Sequence, residues 1–86
     1  MADKCIALCP RLDRATKGKK AVRKAADDFM CVVAPYERGT KKGRCANVTA
    51  EVLNSAAKVN ALSGKSKIIA QAVSDHSYQA ITKNCK

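Results

Sequence analysis

Five cysteines, a single histidine and two dense runs of cations are the residues here whose types and spacing bear on chemistry. The disulfide candidates are Cys5, Cys9, Cys31, Cys45 and Cys85. An odd set leaves one thiol over, either free or linking two copies of the chain, and spacing alone does not choose the pairs. One arrangement ties the chain ends together by anchoring Cys85 to Cys5 or Cys9. A structural zinc site is not expected: Cys5-Ile-Ala-Leu-Cys9 has a loose ligand spacing and no second tight pair follows it. Nothing in the spacing places a thiol beside His76, and there is no Ser/His/Asp order, glycine-rich phosphate loop or paired carboxylates. The chain therefore reads as a binding protein, not an enzyme, with no cofactor and no metal.

Lys and Arg number 17 against 7 acidic residues, a formal charge of +10. Such a surface attracts polyanions. The cations concentrate at Lys17, Lys19, Lys20, Arg23 and Lys24, and again at Arg38, Lys41, Lys42 and Arg44, which together make the candidate anion-binding patch. The ordinary reading of each run is a solvated face or a charged turn. Asn47-Val48-Thr49 is an N-glycosylation sequon at Asn47, of consequence only in a secreted protein. No apolar stretch approaches the ~20 residues that span a bilayer, the longest being Phe29 to Pro35. The start, Met1-Ala2-Asp3-Lys4, has no apolar signal region, so the expectation is either an intracellular chain or a mature secreted form carrying an added methionine.

These residues need a scaffold, and 86 residues make one domain, residues 1–86. A fold of this size buries only roughly 60–65% of the surface of its unfolded chain. The hydrophobic share is 47%, but much of it is alanine, Trp is absent and there is a single Phe. A core so lightly filled calls for cross-links, and each disulfide closing a long loop contributes about 2–4 kcal/mol.

Along the chain, Lys4 to Cys9 reads as a strand closed by Pro10. Asp13 to Met30 follows helical spacing through Gly18, Val22, Ala25, Ala26 and Phe29, with Asp13 placed to cap it and Leu12 to staple it. Met30 to Ala34 is rich in β-branched residues and ends at Pro35, which reads as a second strand, the alternative being the last turn of the preceding helix, whose spacing Val33 continues. Arg38 to Gly43 has the content of a hairpin loop, with Arg44 to Val48 as the returning strand. A second helix, capped by Asn47 or Thr49, runs to Gly64. Lys67 to Val73 fits strand or helix, and Tyr78 to Cys85 fits a last strand.

That order is βαββαβ, an α+β split βαβ sandwich: two helices on one face of a small antiparallel sheet, stapled by disulfides. The alternative is an all-α three-helix bundle in which the Cys31 and Ile68 regions are both helical. The element order, with Cys5 and Cys9 in the first strand, Cys31 after the first helix, Cys45 beside the hairpin and Cys85 at the end, resembles the small secreted killer toxins encoded by fungal viruses and the plant-pathogen effectors similar to them. The resemblance implies a non-enzymatic, extracellular protein that acts on another organism by binding a polyanionic surface or a host protein. Two other functions fit the charge. One is an intracellular nucleic-acid binder, ribosome- or virion-associated, for which five cysteines and few aromatics are unfavourable. The other is a small basic subunit of a larger assembly.

Overall fold

The helical period of the apolar residues, not strand alternation, governs almost the whole chain. In the computed structural model, which describes residues 4–85, a 3₁₀ turn at Ile6–Leu8 leads into four helices: α1 Pro10–Ala15, α2 Lys20–Arg38, α3 Cys45–Ser63 and α4 Lys67–Asn84. No strand occurs among the described residues, so the α+β sandwich is incorrect and the fold is a helical bundle. The βαββαβ order on which the likeness to viral killer toxins rests is therefore absent among the described residues.

Three long helices make the bundle. Val22, Ala26, Phe29, Met30, Val33 and Tyr36 form the buried stripe of α2, Val48, Val52, Ala56 and Val59 that of α3, and Ile69, Ala72, Val73, Ser77 and Ala80 that of α4. Each set recurs at three- and four-residue intervals, so each helix turns one face to the common core. Phe29, with no exposed surface, is the largest fully enclosed side chain there. The 3₁₀ turn and α1 close the remaining side, bringing Ile6, Cys9 and Leu12 into the same core.

The sequence expectations for individual elements are corrected by local chemistry. The proposed first strand is instead the 3₁₀ turn, because the amides of Cys5 and Ile6 both donate to Asp27 Oδ1 at 2.9 Å and not to a neighbouring strand. The single helix from Asp13 to Met30 is two helices. The Thr16 hydroxyl turns back onto the Leu12 carbonyl at 2.7 Å, and Gly18, at φ 78°, takes the left-handed conformation that redirects the chain. Asp13 lies inside α1 and does not cap the longer element.

The strand at Met30 to Ala34 is the middle of α2. Helix propensity disfavours each β-branched residue by no more than about 0.7 kcal/mol, whereas burying Val33 or Tyr36 contributes about 1.5–3 kcal/mol each. Even Pro35 lies within the helix, which ends in a Schellman arrangement: Gly39, at φ 80°, donates to Tyr36 O and Thr40 to Pro35 O. The hairpin and its returning strand are consequently the α2–α3 connection and the first turn of α3, and Asn47 and Thr49 lie within α3 and do not cap it. Tyr78 to Cys85 is likewise the end of α4 and no strand. That helix starts at Ser66, whose Oγ accepts from the Ile69 amide.

Candidate anion-binding site

The cysteines settle first. Cys5 pairs with Cys31, joining the 3₁₀ turn to the middle of α2, and Cys45 pairs with Cys85, joining the start of α3 to the end of α4. Neither Cys5 nor Cys9 is tied to Cys85. Cys9 is the free thiol and is 1% exposed, so it presents no sulfur to a second chain. Cys5, Cys31 and Asp27 bring their ligand-type atoms close together, but both sulfurs are committed to the disulfide and the carboxylate to two backbone amides.

The bundle then sorts the cations. Only Gly64, Lys65 and Ser66 separate α3 from α4, so the end of α3 and the start of α4 lie together. Helices α2 and α3 pack on one another with only residues 39–44 between them, so they run antiparallel and the start of α2 comes to the same end, where Lys20 and Leu62 line one groove. Ile68 of α4 shares a cavity with Arg14 and Ala15 of α1. One end of the molecule therefore gathers Lys17, Lys19, Lys20 and Lys24 with Arg11, Arg14, Lys58, Lys65 and Lys67, all exposed. The last five escape a reading by runs, since they are spread over four parts of the chain. The signal available for them was helical: Lys58 and Lys65 flank the Gly64 stop that brings the chain back. Helices α2 and α4 both begin at this end, and their unsatisfied N–H groups add to its positive potential.

Arg38, Lys41, Lys42 and Arg44 lie at the opposite end of α2, roughly 28 Å away for its 19 residues. The Debye length at physiological salt is about 8 Å, so the two clusters do not act as one patch. Lys41 is engaged locally, 3.8 Å from Glu51 and 5.3 Å from the centre of the Tyr36 ring. The Glu51 carboxylate, helped by burial, raises the Tyr36 phenol above its usual value of 10.0. Asn47, the sequon residue, is exposed in the first turn of α3.

Arg23 departs from the basic patch in role. Its Nη2 lies 2.7 Å from Asp13 Oδ1, and its Nη1 donates to the Asp13 carbonyl at 2.9 Å and the Thr16 hydroxyl at 3.3 Å. It clamps α1 to α2. Lys24 has only an exposed pair with Asp28 at 3.7 Å, of the kind that contributes little. Lys17, Lys19 and Lys20 form no ion pair with any described residue, and the same holds for Arg38, Lys42 and Arg44 at the far end. His76 is half-buried against Glu37, Nδ1 to Oε1 2.7 Å, in a contact that ties α4 to α2.

Arg11 reaches from α1 to Asp75 of α4 at 2.9 Å. Its hydrogen bond, joined by one from Gln71, holds the Asp75 carboxyl below its ordinary 3.8. Because the folded value is the depressed one, the bridge supports the fold above pH 3.8 and its contribution is lost as pH falls through the folded value. An NMR titration of the carboxyl should find Asp75 ionising below 3.8 and rising back toward it in Arg11→Ala.

No protein-family model matches the chain, and no curated protein or solved structure matches it either. No described helix is long and apolar enough to cross a membrane.

Proposed function

We propose that this chain is a small secreted, disulfide-stabilised protein that works by binding an anionic partner through its basic end and not by catalysis. The observation that carries the reading is the convergence of cations from all four helices and their connections onto that end. The acids near it, Asp13, Asp28 and Asp75, are each already engaged by Arg23, Lys24 and Arg11. A partner thus meets an excess of unpaired lysines, among them Lys17, Lys19 and Lys20. Two disulfides favour an oxidising compartment, where such bonds persist.

Retention on immobilised heparin, used as a probe polyanion, is expected to be strong at low salt and to fall steeply as salt rises. Reversing Lys17, Lys19 and Lys20 to Glu should remove most of it. The fold should tolerate that change, because acidic residues at the start of α2 suit its dipole. Reversing Arg38, Lys42 and Arg44 should leave most of the retention in place. Equal losses from both triple variants, or no retention at low salt, would overturn the assignment of the site. A single-stranded oligonucleotide held more tightly than heparin, with a log–log salt slope of about −0.7 per phosphate contacted, would favour the intracellular nucleic-acid reading instead.

A further inference from the structure

Helices α2 and α3 leave between them an open groove of about 690 Å³. Its floor is apolar, made by Ala21, Ala25, Ala61 and Leu62, and its walls carry lysines from both helices. Leu62 is 52% exposed, so the floor holds apolar surface that the bundle does not cover. The stems of Lys20, Lys24 and Lys58 extend that apolar lining and keep their ammonium groups at the rim. The volume lies within the roughly 300–1,000 Å³ typical of small-molecule sites.

We infer that this groove binds a single-chain anionic amphiphile, with its acyl chain along the alanine-lined floor and its head at the lysine rim. Charge complementarity sets the sign of the head. Lys58 has no ion pair among the described residues, and Lys24 has only its exposed contact with Asp28, which an incoming anion replaces. Length sets the class of occupant. The groove runs from Lys20 to Asp28, about 12 Å along the helix, too short for a protein partner to bury the roughly 1,000 Å² that a specific interface needs. A second copy of a chain with charge +10 would bring like charges together there. The groove shares Lys20, Lys24 and Lys58 with the basic end, but the inference does not rest on polyanion binding, since an anion without an apolar chain buries nothing on the floor.

The test uses dodecanoate below its micellar concentration as the probe, followed by calorimetry and by amide chemical shifts. Dodecanoate is expected to bind, with shifts confined to the groove, while dodecanol, dodecyltrimethylammonium and acetate bind at least about tenfold more weakly. Lys58→Glu should weaken dodecanoate by at least about tenfold. Ala61→Trp, which fills the floor at an exposed position, should abolish binding, and Lys42→Glu at the far end should not change it. Dodecanol or acetate binding as tightly as dodecanoate, shifts scattered over the bundle, or full affinity in either Lys58→Glu or Ala61→Trp would overturn the inference. Should Ala61→Trp lower the thermal midpoint, Lys58→Glu decides alone, because its side chain stands in solvent.

Discussion

Full reduction of both disulfides is expected to leave the protein largely unfolded at ordinary temperature. Chain-entropy reasoning gives about 3.5 kcal/mol for the bridge of sequence separation 26 and about 4 kcal/mol for that of separation 40. The two loops, 5–31 and 45–85, do not overlap in sequence, so to first order the contributions add to about 7 kcal/mol. Domains of this size have a total stability of about 4–13 kcal/mol, taking 0.05–0.15 kcal/mol per residue. A core this small and alanine-rich places the chain in the lower part of that range, where removing about 7 takes all of it. Denaturant unfolding with and without reductant measures the loss, and Cys45→Ser with Cys85→Ser separates one bridge from the other. A midpoint unchanged by reduction would show that the alanine-rich core is sufficient alone. In the oxidised protein the Cys9 thiol, 1% exposed, should react with a thiol reagent only on unfolding.

Asp27→Ala is expected to cost about 2–4 kcal/mol. Asp27 is 8% exposed on the inner face of α2, and its Oδ1 accepts from the amides of Cys5 and Ile6, which donate to no other acceptor among the described residues. Truncation strands two poorly hydrated donors, each at about 1–3 kcal/mol. It also releases the segment that positions Cys5 for Cys31. Asp27→Asn is the informative partner variant, because the amide oxygen can still accept from both donors and loses only the charge. It should cost about 1 kcal/mol, the difference between a charge-assisted and a neutral bond. Hydrogen exchange at Cys5 and Ile6 should accelerate in the Ala variant and stay close to wild type in the Asn variant. Equal losses in the two would mean that the charge, not the pair of hydrogen bonds, is what the fold uses.

Both predictions turn on features that local sequence shows only in part. The stop of α3 at Gly64 and the apolar stripe of α2 from Val22 to Phe29 are visible as periodicity and a helix-ending glycine. The stretch from Met30 to Ala34 is not, because its β-branched residues and the following proline favour a strand locally. Helix wins there through burial of Val33 and Tyr36, which is a tertiary gain. The same competition hides α4. Ile69, Ala72, Val73 and Ala80 keep helical spacing behind the Ser66 cap, yet small alanines make the period faint beside the Ile68-Ile69 pair, which fits a strand equally well. Treating Gly18 as one more small residue on a helix face overlooks the reversal that separates α1 from α2.

By itself the sequence determined the charge, the odd thiol count, the alanine-rich composition of the core, and the place where α3 ends. These are properties of composition and of neighbours along the chain. The tertiary structure decided which cysteines pair, that Cys9 is the one enclosed, that Arg23 ties α1 to α2, and that Lys58, Lys65 and Lys67 join Lys17 to Lys24 at one end. Each of those depends on how helices far apart in sequence are brought together, and that is set by summed burial across the bundle, a quantity that no local window of residues contains.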